Sequence, residues 1–168
     1  MFTYNKNNST AHVCGLITNY TDGEMIGKVI GLDPAGPAFD VNDPTTRISS
    51  NSANYVECIH TDQSLGIRAP ICHADFFVNR GSIQPGCLNI FENINCSHKR
   101  SILYYIEALR NQEAFYGKSC SDFQLVLSGS CNDEPGEFMG HIKNAENKIQ
   151  GIFSLFTNKR FPFGRGKN

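Results

Sequence analysis

The chain has 168 residues, of which 40% are hydrophobic and 18% are charged, and its formal net charge is −1. These values predict one globular domain with a hydrophobic core and argue against a disordered chain. The nearly neutral charge also gives no reason to expect nucleic acid or an acidic membrane as a partner. A small basic cluster near the C-terminus is interpreted as a solvated chain end; it consists of Lys159, Arg160, Arg165 and Lys167.

Cysteines and glycosylation motifs indicate an oxidising compartment. Seven cysteines are many for a cytosolic protein of this length. Sequons add weak support because they also arise by chance; they begin at Asn7, Asn8, Asn19 and Asn95. The first residues lack the basic and apolar parts of a signal peptide, and no apolar run is long enough to cross a membrane. We expect a secreted protein without a transmembrane segment, whose signal peptide is absent from this chain.

In chain order, the first half of the sequence predicts one helix and two strands. Residues 11–20 are mostly apolar and form a short helix. Residues 28–31 form a short apolar strand that ends before Pro34, because proline cannot continue a strand ladder. Residues 38–54 are rich in polar turn formers and are interpreted as a loop. Residues 55–60 form the second strand.

The second half predicts one helix and one late strand. Residues 63–86 are rich in glycine and proline and are interpreted as irregular. Residues 101–111 form a helix with one apolar face, which consists of Ile102, Tyr105, Ile106 and Leu109. A short apolar segment lies at 124–127, and residues 150–157 alternate as a strand does.

Apolar strands separated by helices predict an α/β protein with a parallel sheet covered on both faces. Two such strands do not make a stable sheet alone, so we expect further strands upstream of this sequence.

An acid and a histidine stand in the chain order of a Ser-Asp-His hydrolase. Asp33 lies on the turn after the first predicted strand, and His98 lies just before the predicted helix. A carboxylate on such a turn can orient an imidazole and stabilise its protonated form, while the imidazole acts as a base. Rival acids in this region are Asp40, Asp43 and Asp62. Asp62 is interpreted as structural because it follows the end of the second strand.

Six blocks lie in one order along the chain: G-L-D-P-A-G-P at 31–37, Y-V-E-C-I-H-T-D at 55–62, C-H-A-D-F-F-V-N at 72–79, Q-P-G-C at 84–87, C-S-H at 96–98, and G-I-F-S-L-F-T-N with P-F-G-R-G between 151 and 166. Together they resemble the animal lipase family, the pancreatic-type branch of the α/β hydrolases that includes insect and venom phospholipases A1. The resemblance implies the C-terminal portion of an α/β-hydrolase fold, with its front strands and nucleophile elbow missing. It also implies a division of the chain into residues 1–10, a stretch outside the family, and residues 11–168, a partial lipase domain.

The resemblance implies that Asp33 is the triad acid and His98 the general base. It implies structural positions for three other histidines, namely His12, His60 and His73. No two histidines have the spacing of a zinc motif. Some members of the family bind calcium beside a stretch that resembles residues 47–52, but serines replace its carboxylates here. We therefore expect neither a metal nor another cofactor.

The nucleophile is the weakest part of the resemblance. The family's serine stands in G-x-S-x-G before a helix that resembles residues 11–15. Ser9 fits that position only if one residue is dropped, and its flanks are then Asn7 and Ala11 instead of glycines. The elbow needs small flanks because its backbone is strained and tightly packed. We expect Ser9 to be a poor nucleophile, and this chain to be truncated and inactive by itself.

The resemblance also implies two disulfides, Cys87–Cys96 and Cys120–Cys131. In the family the first one closes a lid, and a segment as short as residues 88–95 is similar to the lids of phospholipases A1. Four apolar residues of this segment suit contact with lipid, or packing onto the body; they are Leu88, Ile90, Phe91 and Ile94. Cys14 and Cys58 are expected to be buried free thiols, and Cys72 has no assigned role.

We expect a lipid carboxylic-ester hydrolase of the phospholipase A1 type, with a phospholipid or acylglycerol substrate at a lipid surface. The first alternative is a triglyceride lipase, because a short lid does not exclude that substrate. The second is a non-enzymatic protein of this family that binds lipid or is stored, like yolk proteins. No protein partner is predicted from the sequence.

Overall fold

The structure, a computed structural model, describes residues 10–17, 26–87 and 95–167. Within these ranges the strands are β1 (Lys28–Leu32), β2 (Tyr55–His60), β3 (Ala74–Val78), β4 (Tyr116–Cys120), β5 (Asp133–Phe138) and β6 (Gly151–Leu155). The α-helices are α1 (Thr10–Leu16), α2 (Cys96–Arg110) and α3 (Phe123–Ser128). Short 3-10 turns occur at Ser50–Ser52, Asn79–Gly81 and Ile142–Asn144. Among these residues, no helix combines the length and the apolar character that crossing a bilayer requires.

The six strands form one mixed sheet in the order β1-β2-β3-β6-β4-β5. The first four strands of this order are parallel, whereas β4 and β5 add antiparallel pairs at one edge. Because the carboxyl ends of parallel strands meet at the same edge of a sheet, the segments that follow β1, β2, β3 and β6 lie together. The predicted α/β class is confirmed, and the sheet has three more strands than the sequence patterns predict.

The central strands are buried on both faces. Every residue of β2 and β3 is buried. One face packs against α2 through an aromatic cluster that includes Tyr55, Phe76, Tyr104, Phe115 and Phe153. The other face packs against α1 and the loop before β2; this cluster includes Cys14, Val29, Ile48, Val56 and Ile67. Double burial explains why β2 reads as a continuous run and not as an alternating pattern.

Helix α2 differs from its prediction in its start and in its buried face. It begins at Cys96, which places His98 in its first turn instead of on a loop before it. The buried face carries Tyr104, Tyr105 and Ala108, whereas Ile106 and Leu109 are 41% and 43% exposed. The prediction missed the start because residues 96–100 are mostly polar and do not continue the apolar repeat. It chose the wrong face because the sheet receives aromatic and small side chains instead of the aliphatic ones.

The irregular assignment of residues 63–86 is wrong where β3 crosses the middle of the sheet. The polar Asp75 interrupts its apolar pattern, but this side chain is buried and paired with His60. The strands β4 and β5 contain glycine, proline and charged residues, which hid them from pattern analysis. The predictions of β1, β2 and β6 are confirmed. The helix predicted at 11–20 is present from Thr10 to Leu16, and residues 18–20 of the predicted range lie outside the described residues.

Candidate active site

Asp33 lies at the carboxyl edge of the sheet, directly after β1, and its side chain is almost completely buried. Its Oδ1 accepts hydrogen bonds from the backbone N–H groups of Thr61, at 2.7 Å, and Asp62, at 3.0 Å. Its own N–H donates to the carbonyl of Ile59. The backbone of Asp33 has a φ of 49°, which is uncommon outside glycine. Neighbouring strand ends therefore hold one carboxylate oxygen and leave the other for a different partner.

That partner is His98, whose Nδ1 lies 2.7 Å from Oδ2 of Asp33. His98 is 8% exposed, and α2 supplies it from its first turn. A carboxylate accepts the proton on Nδ1, so the neutral imidazole has its lone pair on Nε2. Within the described part of the chain, Nε2 has no hydrogen-bond partner. This tautomer is the one in which a histidine accepts a proton from a nucleophile.

The negative charge of Asp33 is stabilised mainly by hydrogen bonds. Burial raises the pKa of its carboxyl group, while the hydrogen bonds from His98 and Thr61 lower it. Among the described residues, its only ion-pair partner is His98. A buried carboxylate without lysine or arginine gains the most when the neighbouring imidazole is protonated, which is the event that base catalysis requires.

Gln84 connects the end of β2 to α2. The N–H groups that bind Asp33 follow β2, and α2 carries His98. The Gln84 side chain is completely buried, and its Nε2 donates to the carbonyls of Thr61 and Val78, both at 2.8 Å. The backbone N–H of Gln84 donates to Oγ of Ser97, the residue before His98. Its Oε1 accepts from Tyr104, in the middle of α2. Gln84 thus fixes the distance between the end of β2 and the start of α2.

Gly66 provides the space that the Asp33 carboxylate occupies. A Cβ atom on this residue would lie 2.6 Å from Oδ1 of Asp33 and 2.7 Å from the carbonyl oxygen of Asp62. An isolated antiparallel β-bridge between Gly66 and Ala35 holds this backbone beside the turn that carries Asp33. Only glycine allows this backbone to lie so close to the acid.

The other buried histidines connect structural elements. His12 on α1 bridges the carbonyl of Ala35 and the N–H of Ile48, and it stacks on Phe39. Burial lowers the pKa of His12, as expected for an imidazole that accepts a backbone N–H. The Nδ1 of His73 accepts from the N–H of Val56. These contacts match the structural roles predicted for both residues.

His60 belongs to a buried group with Asp75 and Cys58 whose ligand atoms lie within 4.8 Å of one another. Both nitrogens of His60 are engaged, one with Asp75 at 2.8 Å and the other with the carbonyl of Ile67 at 3.0 Å. Asp75 also accepts from the N–H groups of Ile71 and Cys72. Cys58 is bonded to Cys72. Every ligand atom in the group is therefore already used, and the group stabilises the β2–β3 connection.

Three disulfides cross-link the described residues: Cys58–Cys72, Cys87–Cys96 and Cys120–Cys131. The last two are the pairs that the resemblance implies. The expectation of a free thiol at Cys58 is wrong, because β2 and the segment before β3 bring Cys58 and Cys72 to a Cα separation of 5.9 Å. Cys14 is buried outside these bridges, as expected.

The rival acids lie apart from His98 and have other partners. Asp40 is exposed and accepts from the N–H of Asn42. Asp43 caps Thr45. Asp62 accepts from two N–H groups in the following turn, which agrees with its structural interpretation.

Two sets of predicted site residues lie outside the described residues. They are the candidate nucleophile Ser9 and the four apolar residues of the lid segment, Leu88, Ile90, Phe91 and Ile94. Sequence analysis missed Gln84 and Gly66 as supports of the site. The Q-P-G-C block was a signal for Gln84, but only the folded chain shows what this residue holds.

Comparison with known proteins places these features in a family. The Lipase family model matches residues 7–163. The chain is 39% identical over 180 residues to mouse hepatic triacylglycerol lipase, which covers 91% of this chain and 35% of that protein. It is 39% identical over 128 residues to rat phospholipase A1 member A, with 73% of this chain and 28% of that protein covered. The chain thus spans about a third of the length of these relatives.

One of these relatives is named as a triacylglycerol lipase and the other as a phospholipase A1. The family match covers nearly the whole sequence and includes both residues of the hydrogen-bonded pair. The chain belongs to the lipase family.

Proposed function

We propose that Asp33 and His98 are the acid and the base of a serine hydrolase that cleaves carboxylic esters of lipids. The observation that supports this most directly is the 2.7 Å contact between Oδ2 of Asp33 and Nδ1 of His98, in a pair that is buried at the carboxyl edge of the sheet. The backbone donors on Oδ1 keep the carboxylate oriented toward the imidazole.

In this mechanism, a serine hydroxyl attacks the carbonyl carbon of the sn-1 ester of a phospholipid. Nε2 of His98 takes the hydroxyl proton and gives it to the leaving lysophospholipid alcohol, so that an acyl-enzyme remains. Water then repeats the sequence: His98 takes its proton, the fatty acid leaves, and the serine recovers its hydrogen. Asp33 stabilises the imidazolium in both steps without being protonated itself.

The nucleophile is a serine outside the described residues. Ser9 is the candidate within the chain, but its flanking Asn7 and Ala11 do not suit a tight elbow. We therefore propose that residues 1–168 alone do not hydrolyse lipid esters. A longer translation product that supplies a G-x-S-x-G elbow would do so.

Phospholipid is the first proposed substrate, because the short segment between Cys87 and Cys96 is similar to a phospholipase A1 lid and because phospholipase A1 member A is a relative. Triglyceride is the second, since hepatic triacylglycerol lipase matches 91% of this chain. Secretion is proposed on the three disulfides, which persist in oxidising compartments.

Hydrolysis assays on the longest translation product that contains these residues test the proposal. Phosphatidylcholine with distinct fatty acids at sn-1 and sn-2 reports the position of cleavage, and triolein reports the second substrate. We expect release of the sn-1 acid first, and loss of that release in Asp33→Asn. Release only from triolein would favour the triglyceride alternative, and no release from either lipid would favour the non-enzymatic one. On residues 1–168 alone, activity that disappears in Ser9→Ala would contradict our placement of the nucleophile.

A further inference from the structure

The turn after β6 presents an exposed aromatic ring next to two cationic side chains. Phe161 is 70% exposed, the largest exposed fraction among the large apolar side chains described. The two residues before it, Lys159 and Arg160, are also exposed. A single exposed phenylalanine is ordinary on a protein surface, so its exposure alone indicates nothing. The neighbouring cations and the position of the ring in the fold are what indicate a binding surface. We call Lys159, Arg160 and Phe161 the aromatic-basic patch.

The patch is held outward by a closed turn. The N–H of Asn158 donates to the carbonyl of Phe163 at 2.8 Å, and its side chain donates to the carbonyl of Pro162. Phe163 is buried beneath the turn, where its ring meets Phe161 edge-on at 6.2 Å between centroids. The Glu107 carboxylate accepts the N–H of Phe163 at 2.9 Å. These hydrogen bonds fix the backbone of the turn, so the exposed ring of Phe161 has a defined position.

The patch lies against the start of α2, the helix that carries His98. The guanidinium of Arg100, two residues after His98 on α2, lies 4.5 Å from the centre of the Phe163 ring. The same guanidinium donates to the carbonyl of Pro85, and it lies 3.5 Å from the carbonyl of Lys159. A Cβ on Gly86 would lie 3.2 Å from the side chain of Lys159. The turn thus packs between the first turns of α2 and the loop that leads to Cys87.

The local charge is of one sign. Residues 159–168 contain four lysines and arginines and no aspartate or glutamate. The acid that does face the turn, Glu107, is buried and already accepts the N–H groups of Phe163 and Gly164. Lys99 adds an exposed cation beside His98. The net charge of the whole chain hides this local excess.

We propose that the aromatic-basic patch docks the protein on an anionic lipid surface. Phe161 inserts between headgroups, while Lys159 and Arg160 pair with lipid phosphates and carboxylates. An aromatic ring flanked by cations suits the polar–apolar boundary of a membrane, and each surface cation adds attraction to anionic lipid. The patch follows β6, so docking through it brings the carboxyl edge of the parallel strands toward the lipid. Asp33 contacts His98 at this edge. The placement beside a catalytic base rests on the proposed function, whereas the docking itself does not require hydrolysis.

A fluorescence experiment tests the contact directly, because the chain has no tryptophan. Phe161→Trp places one tryptophan in the patch, and Ile142→Trp provides the matched control. Ile142 is 63% exposed and lies on the turn between β5 and β6, outside the patch. We expect vesicles of phosphatidylcholine and phosphatidylserine to shift the emission of Trp in Phe161→Trp to shorter wavelength, and lipids brominated on the acyl chain to quench it. Equal behaviour of the two variants would overturn the proposal.

Vesicle flotation measures the strength of docking. The vesicles consist of dialkyl ether lipids, which contain no carboxylic ester, so binding is measured without hydrolysis. We expect Lys159→Gln/Arg160→Gln to lower partitioning about 25-fold, since each surface cation contributes about five-fold. Phe161→Ser should lower it about ten-fold. The control Lys143→Gln/Lys148→Gln also removes two exposed cations and should stay within about two-fold of wild type.

The outcomes separate the two proposals. Selective loss of binding in the patch variants supports docking, whether or not the protein cleaves esters. Equal loss in the control pair, or equal binding to vesicles of phosphatidylcholine alone, shows that no anionic lipid is recognised by this patch and overturns the proposal. Unchanged flotation of Phe161→Ser overturns it too and assigns the ring to a protein partner. Intact binding without ester cleavage contradicts only the proposed function.

Discussion

Replacing Gly66 with alanine tests how tightly the fold holds the Asp33 carboxylate. The added Cβ would lie 2.6 Å from Oδ1 of Asp33 and 2.7 Å from the carbonyl oxygen of Asp62, both far inside normal contact. The φ of Gly66 is not in the left-handed region, so alanine fits its backbone and only crowding opposes it. One crowded atom is backbone, and the other belongs to a carboxylate that hydrogen bonds from Thr61, Asp62 and His98 hold in place. The carboxylate must move, or the segment around Gly66 must withdraw from it.

The expected cost follows from two effects. Overpacking a buried site costs about 1–3 kcal/mol. Displacing Oδ1 weakens charge-assisted hydrogen bonds from Thr61 and Asp62, each worth about 1.5–3 kcal/mol. A total of about 2–5 kcal/mol should lower the melting temperature by about 5–15 °C in a chain of this size. Thermal unfolding measures this loss, and the NMR signal of the His98 Nδ1–H proton reports whether the bond to Asp33 survives.

Gly27→Ala is the matched control, because a Cβ on Gly27 meets no atom within 4 Å. We expect Gly27→Ala to unfold at nearly the wild-type temperature and to keep the Nδ1–H signal. If Gly66→Ala behaves in the same way as Gly27→Ala, the account of a crowded, fixed acid is wrong.

Two further predictions concern the supports of the site. Gln84→Leu should destabilise the protein by several kcal/mol, because it leaves the buried carbonyls of Thr61 and Val78 without donors at about 1–3 kcal/mol each; a melting temperature equal to wild type would contradict this role. His12→Gln should reduce the pH dependence of stability. Burial lowers the pKa of His12 in the folded state, so its contribution is complete above about pH 6.5 and is lost as the pH falls further. Between about pH 7.5 and about pH 5.5, wild type should therefore lose more stability than the variant, and equal losses would show that His12 does not titrate as described.

The sequence was sufficient to single out Asp33 and His98, which the structure places in contact, but not the residues that support this pair. Asp33 could be predicted because an apolar strand ends in a turn with proline, and His98 because chain order and a flanking cysteine pointed to it. Their contact depends on the parallel pairing of β1 with β2, which the strand patterns indicated. Gln84 and Gly66 act through close approach of segments far apart in sequence, which no local pattern encodes.

Some of the errors have the same physical cause, which is that polar groups satisfied inside the fold look like surface residues in the sequence. Asp75 made β3 resemble a loop, although His60 and backbone N–H groups accommodate its charge. Glu107 on α2 is buried for a similar reason, since it caps Phe163 and Gly164. The pairing of Cys58 with Cys72 was equally hidden, because disulfide connectivity does not follow from cysteine spacing.

The most direct test of the central claim compares His98→Ala with His141→Ala in the longest translation product that contains this chain, by release of the sn-1 fatty acid from phosphatidylcholine. His141 is a partly exposed histidine that precedes the Ile142–Asn144 turn, so its variant controls for the loss of an imidazole. The account predicts that His141→Ala keeps the wild-type rate and that His98→Ala lowers it by about 10⁴-fold or more. Hydrolysis by His98→Ala at the wild-type rate would contradict it.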